Sequence, residues 1–163
     1  MLKLSREHIL RSQKLERALL RSLERDPLLV ERLKRLRIPG VGPITALTWA
    51  LEIGDVSRFQ SVKQAISYCG LCSAERSSAD KLVRMPISKQ RNKHIQQTLV
   101  EAAKLAPRYS HELALVYERE RQRGNKNRAT LAVARKMVAY MLAVERRKQD
   151  FVPAEQLGGT AAA

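Results

Sequence analysis

Aromatic side chains make up only 4% of this 163-residue chain. That scarcity argues against folds that read single strands by stacking bases on exposed rings, such as the RRM and the OB-fold. It argues equally against an aromatic-rich β core. No apolar run is long enough to cross a bilayer, so no membrane segment is expected. Met1 leads straight into a charged amphipathic stretch, without the apolar core of a signal peptide, and a cytosolic location is expected. Only two cysteines are present, Cys69 and Cys72, in the run Cys-Gly-Leu-Cys. No second such pair follows at zinc-site spacing, and His8, His94 and His111 are scattered. The pair reads as ordinary reduced cysteines near a helix end. Carboxylates are scarce as well. Glu52 and Asp55 are close in sequence, Glu101 is distant, and no strand-borne set of acids gathers for a two-metal site. No metal site is expected in this chain.

What the chain has in excess is positive charge. Lys and Arg number 31 against 16 Asp and Glu, a formal charge of +15. A surplus that large opposes compaction unless a polyanion shares it, and phosphate neutralisation with counterion release makes nucleic acid the natural partner. Leu, Ala, Arg, Lys and Glu dominate, all good helix formers, so an all-α fold is predicted.

A helix over residues 5–25 carries Leu15, Leu19 and Leu23 as a narrow stripe among Arg and Glu. So thin a stripe fits either a coiled-coil arm seeking a partner helix or a helix packed on its own domain. Asp26-Pro27 restarts a helix that stops before Pro39. Another begins after Pro43 and ends at Gly54-Asp55, and a short one runs over 61–69 with Gly70 as its C-cap. Residues 71–87 lack helical periodicity and read as a loop. Ser88 is expected to cap a helix to about Ala106, with Ile95, Leu99, Ala102 and Ala103 inward. Helices over 110–123 and 127–147 follow, the last with an apolar stripe that completes the core. The predicted organisation is a coiled-coil-like helix at 1–26, a helical domain at 27–148 and a disordered tail at 149–163.

Two constellations could carry chemistry. The first is Pro39-Gly40-Val41-Gly42-Pro43 between two helices, the pattern of a helix-hairpin-helix. Glycine permits positive φ and a close approach of the backbone to a ligand, and the freed amides can converge on one phosphate. Arg35 and Arg37 lie just upstream. The alternative is a tight turn between packed helices. The second is Arg76-Ser77-Ser78-Ala79-Asp80-Lys81 together with Ser88-Lys89-Gln90-Arg91-Asn92-Lys93. A serine hydroxyl can attack a phosphodiester if cations hold the developing charge. Arg76, Lys81, Lys89, Arg91 and Lys93 could supply them, and the expected helix start at Ser88 adds a positive dipole end. Taken blind, such a stretch is more often a solvated loop.

The ordered set Ile38-Pro39-Gly40-Val41-Gly42-Pro43-Ile44-Thr45-Ala46, Glu52-Ile53-Gly54-Asp55, Phe59, Tyr68-Cys69-Gly70-Leu71, Ser77-Ser78, Ile87-Ser88-Lys89, Asn92 and Glu101-Ala102-Ala103 closely resembles one family. It is the C-terminal transposase domain of the bridge-RNA-guided insertion-sequence transposases, the "one-ten" family, related to the Piv-type DNA invertases. The resemblance covers about residues 10–147. It implies that a RuvC-like half with four acidic metal ligands, where Mg would act, lies outside this chain, and that 1–26 belongs to a linker coiled coil. It further implies oligomers, a structured guide RNA, DNA as substrate, and bacterial cytoplasm with association to the nucleoid when bound. By position in the motif Ser78 matches the serine that becomes joined to DNA, with Ser77 as the fallback. The sequence departs from the pattern at Ala79-Asp80 and Arg91, where the family usually has glycine, and at Cys72-Ser73, where a proline often stands. A reading from another class stays open beside it: a non-catalytic helix-hairpin-helix protein that binds nucleic acid as a remnant or regulator.

Overall fold

Short polar side chains and prolines set the helix starts. The computed structural model describes residues 2–23, 25–78, 81–87 and 92–153, with backbone only at 2–4, 20, 73–78 and 81–87. Helix α1 spans Leu2–Leu23 and α2 spans Pro27–Arg35. Asp26 caps α2, its carboxylate accepting the Leu28 and Leu29 amides at 3.0 and 3.1 Å, and Pro27 fills the first position, where no amide is needed. Helix α3, Pro43–Ile53, begins on Gly42 with no side-chain cap. A 3₁₀ turn at Val56–Arg58 leads to α4, Val62–Tyr68, capped by Ser61. Helix α5 spans Lys93–Leu105, and after a 3₁₀ turn at Ala106–Arg108 come α6, His111–Gln122, and α7, Lys126–Arg147. Ser110 and Asn125 cap the last two.

Two expectations need correction. The helix expected to start at Ser88 starts at Lys93 on an Asn92 cap, whose Oδ1 accepts the His94 amide at 3.0 Å. Asparagine caps as well as serine, and the run 88–92 adds no apolar residue to the stripe of Ile95, Leu99, Ala102 and Ala103 that α5 buries. Ser88 itself lies outside the described residues. The segment 71–87, expected as a loop, holds an antiparallel ribbon of β1, Ser73–Ser78, and β2, Lys81–Ile87. The register runs Ser78↔Lys81, Ser77↔Leu82, Arg76↔Val83 and Glu75↔Arg84, then slips before Ser73↔Ile87. That slip accommodates Pro86, which cannot donate to a regular ladder and which made the segment look non-β. Apart from this ribbon the described fold is helical, as composition predicted.

Helix α7 is the centre of the core. Its Ala129, Val133, Ala134, Met137, Val138, Met141 and Leu142 are all fully buried, and α2, α4, α5, α6 and the first 3₁₀ turn pack around it. Each such large side chain is worth roughly 1.5–3 kcal/mol on burial. Trp49 of α3 is 0% exposed, and its indole N–H donates to Glu145 of α7 at 2.7 Å. Arg32 of α2 ion-pairs with the same carboxylate and also donates to the Ala50 and Gly54 carbonyls at 3.0 and 2.6 Å. One arginine thus satisfies the last carbonyls of α3 while joining three helices. Phe151 packs on Tyr140 with ring centroids 5.0 Å apart, so the packed region extends past 148. By contrast, Ile9, Leu10, Leu15 and Leu19 stay exposed along α1. No helix among the described residues is long and apolar enough to cross a membrane.

Candidate nucleic-acid interface

The turn between α2 and α3 is built by its own residues. Ile38-Pro39-Gly40-Val41 closes with the Val41 amide donating to the Ile38 carbonyl at 2.8 Å, and Gly40 sits at φ +84°. Proline followed by a residue of positive φ is the pattern of a type II turn. Leu36 and Ile38 are buried and hold the turn down, which leaves Arg37 exposed between them. The two glycines divide the work expected of both. A Cβ on Gly40 would lie 2.6 Å from Ala106 Cα and closer still to Ala106 Cβ, so its close approach is to the end of α5 and not to a ligand. Gly42 has φ −79°, an ordinary value, and nothing lies within 4 Å of the Cβ it lacks. The open backbone is therefore at Gly42, where the first turn of α3 has no side-chain cap. Behind it a cleft of about 390 Å³ is lined by Leu23, Leu33, Lys34, Arg37, Val41 and Pro43, among others. Arg35 is half-buried and paired with Glu31 at 3.2 Å, so its charge is partly committed.

The ribbon brings the other candidates into relation. Successive positions along a strand alternate between its two faces, and directly paired positions share a face. The register therefore groups Arg76, Ser78, Lys81 and Val83 on one face, and Glu75, Ser77, Leu82 and Arg84 on the other. Ser78 and Lys81 are the last paired residues, and Ala79 and Asp80 between them lie outside the described residues. Lys89 and Arg91 also lie outside them, whereas Lys93 is exposed at the start of α5.

Gln96 and Arg135, which no sequence motif singled out, and Glu52, Tyr68 and Asn92, which entered only as members of the family motif set, anchor the ribbon's two ends. Gln96 donates to the Gly70 carbonyl at 2.5 Å and Arg135 to the Leu71 carbonyl at 2.8 Å, which fixes the entry to β1. Gly70 itself, at φ +71°, ends α4. On the exit side Asn92 Nδ2 donates to the Glu52 carboxylate, and the Tyr68 hydroxyl donates to the Glu52 carbonyl at 3.0 Å. These contacts join positions far apart in the chain, so no local pattern marks them. Cys69 and Cys72 are both free thiols. Burial pushes the Cys69 thiol up to about 12, against a thiolate, so it packs as a small apolar group. Among the described residues no group of three or more His, Cys, Asp or Glu could hold a metal.

Comparison with known proteins places this arrangement in a class. A family model described as the IS116/IS110/IS902 transposase family matches residues 33–118, from α2 through the turn, the ribbon and α5 into α6. The chain is 42% identical over 64 residues to y4qE of Sinorhizobium fredii (strain NBRC 101917 / NGR234), a protein named as a transposase, covering 39% of this chain and 16% of that one. It is 30% identical over 118 residues to the transposase for insertion sequence element IS1111A of Coxiella burnetii (strain RSA 493 / Nine Mile phase I), covering 70% of this chain and 32% of the relative. It is 34% identical over 70 residues to the transposase for insertion sequence element IS1328 of Yersinia enterocolitica, covering 43% and 21%. The match thus spans at most 32% of the length of any of these relatives. These matches define an insertion-sequence transposase domain. The chain belongs to the IS116/IS110/IS902 transposase family.

Proposed function

We propose that this chain is the DNA-binding C-terminal part of an insertion-sequence transposase and supplies the serine that becomes joined to DNA during strand exchange. The observation that carries the proposal is the register of the ribbon. It groups Ser78 with two cations, Arg76 and Lys81, and no carboxylate, while the fallback Ser77 shares its face with one cation, Arg84, and the carboxylate Glu75. A hydroxyl attacking a phosphodiester needs cations beside the phosphorane charge and is hindered by a carboxylate, so the grouping favours Ser78. In the step, Ser78 Oγ forms a bond to phosphorus and passes its proton to a base. The bond from phosphorus to one sugar oxygen breaks, and that oxygen leaves with a proton. The strand stays attached as a phosphoserine ester until the reverse attack by a sugar hydroxyl.

Substrate binding rests on the +15 charge and on the turn at Gly42, whose open backbone heads α3 as a helix-hairpin-helix would. Contacts of that kind position a DNA backbone without reading bases. The exposed stripe on α1, with Leu15 at 64% and Leu19 at 47% exposed, suits pairing with a second copy. Guide RNA and a RuvC-like half carrying Mg complete the proposal from family resemblance.

The test is a denaturing gel of the purified chain with labelled cognate DNA, with and without a separately supplied RuvC-like half and its RNA. A protein–DNA band that disappears in Ser78→Ala is expected. A band that persists in Ser78→Ala would exclude Ser78. Salt-sensitive binding in a native gel with no covalent band under any condition would favour the non-catalytic binding protein, a reading to which Ala79-Asp80 beside the serine already lends weight.

A further inference from the structure

We infer that Tyr109, with Arg108, forms a stacking site for one unstacked nucleotide of a single strand held at the α2–α3 turn, an inference that rests on the nucleic-acid-binding half of the function proposed above. Aromatics are few in this chain, and most are committed to packing: Trp49 and Phe59 are buried, and Tyr140 and Phe151 pack on each other. Tyr109 is the exception, 67% exposed, the most open ring among the described residues. A lone exposed apolar group needs no explanation in itself; its placement does.

Tyr109 sits on a rigid foundation. Its amide donates to the Ala106 carbonyl at 3.0 Å, closing the 3₁₀ turn that contains Pro107, and Ala106 is fully buried. The next residue, Ser110, caps α6. The backbone beneath the ring is thus fixed on both sides, so little order remains to be lost when a base settles on it. Ala106 is also the residue against which Gly40 closes. That contact sets Ala106, three positions before Tyr109, directly against the turn, although Gly40 and Ala106 lie 66 positions apart in the chain.

Charge completes the site. Arg108 and Arg37 are both exposed, and neither has an ion pair or side-chain hydrogen bond among the described residues. Nearby Lys104, by contrast, is tied to Glu101 at 2.6 Å. Gly40 lies three positions beyond Arg37 and Arg108 two beyond Ala106, so the two arginine backbones lie within roughly 20 Å of each other. Two uncommitted cations, one beside an exposed ring on a fixed backbone and one on the neighbouring turn, match a short single strand. A duplex hides the faces of its bases and offers a ring nothing to stack on.

The experiment measures binding of the full chain to three fluorescein-labelled probes of one mixed sequence: single-stranded DNA, single-stranded RNA and duplex DNA. Tyr109→Ala is expected to weaken binding of at least one single-stranded probe by roughly five- to 150-fold, the range that stacking of one base supplies. Tyr109→Phe should stay within about twofold of the parent, and duplex binding should not change in either variant. Whichever single strand suffers the larger loss identifies the source of the nucleotide. Arg108→Ala should lower the slope of log affinity against log salt by about 0.7 on that strand. Each variant's urea midpoint should match the parent, since both side chains are exposed. Unchanged single-strand binding in Tyr109→Ala would overturn the inference while leaving the proposed function standing. An equal loss on duplex, or an equal loss in Tyr109→Phe, would also overturn it. Failure of the parent chain to bind any of the three probes would overturn both.

Discussion

Replacing Gly40 by alanine tests how the turn is built. At φ +84° an L side chain pays about 1–2 kcal/mol in backbone strain, offset by about 0.4–1 kcal/mol from the lower entropy of the unfolded chain. The new Cβ would also be forced against Ala106, 2.6 Å from its Cα, and overpacking of this kind costs about 1–3 kcal/mol. The sum is a loss of roughly 1–5 kcal/mol, or a fall in Tm of roughly 2–18 °C for a chain of this size. Urea unfolding should show it as a lower midpoint at unchanged slope. Gly42→Ala is the control. With φ −79° and open space around it, it should cost no more than about 1 kcal/mol, the difference between glycine and alanine as an N-cap. Adding Ala106→Gly to Gly40→Ala removes the worse of the two clashes and should restore part of the loss. A Gly40→Ala protein as stable as its parent would refute the reasoning, because neither the strained φ nor the contact with Ala106 could then be real. Nucleic-acid affinity should separate the glycines the other way: Gly42→Val should weaken binding, measured by native gel, more than its small effect on stability explains.

Glu145→Ala should destabilise by about 3–5 kcal/mol in urea unfolding, because Arg32 and the Trp49 indole lose a buried acceptor together; a loss under about 1 kcal/mol would contradict the clasp. The Cys69 thiol, pushed from 9.0 up to about 12 in the folded chain, should resist iodoacetamide at pH 8 until the protein unfolds. Because its folded value is the higher one, the stability it contributes is complete below pH 9 and is lost as pH rises toward 12, so Cys69→Ala should flatten that part of the stability–pH curve. Replacing Leu15 and Leu19 together by glutamate should shift the chain toward monomer in sedimentation velocity with little change in the urea midpoint, since both side chains are exposed; an unchanged oligomeric state would exclude α1 pairing.

Helix positions were legible in the sequence because their signals are local. Asp26-Pro27, Ser61, Ser110, Gly54 and Gly70 each act through neighbours within one turn, and all end or begin helices as expected. The apolar face of α7 was equally readable from its spacing. The ribbon was not, because Pro86 and the serines of β1 argue against a strand locally, whereas pairing with a register slip overrides them. The start of α5 was misplaced for a related reason: Ser88 and Asn92 are both good caps, and Asn92 is held by Glu52, 40 positions earlier in the chain. At the candidate site, the residue types were evident but their partners were not. Nothing near Gly40 announces Ala106, and nothing near Asn92 announces Glu52.

The most direct measurement of the proposed function is whether DNA becomes joined to this chain and, if so, at which atom. Adduct formed with cognate DNA, the RuvC-like half and its RNA would be digested with nuclease and trypsin and sequenced by mass spectrometry. Trypsin cuts after Arg76 and Lys81, so both serines fall in the peptide of residues 77–81. Fragment ions placing the nucleotide on Ser78 are the predicted result. A nucleotide on Ser77, on any residue outside that peptide, or no adduct from a chain that still binds the DNA, would contradict the assignment of the reacting serine to the face it shares with Arg76 and Lys81.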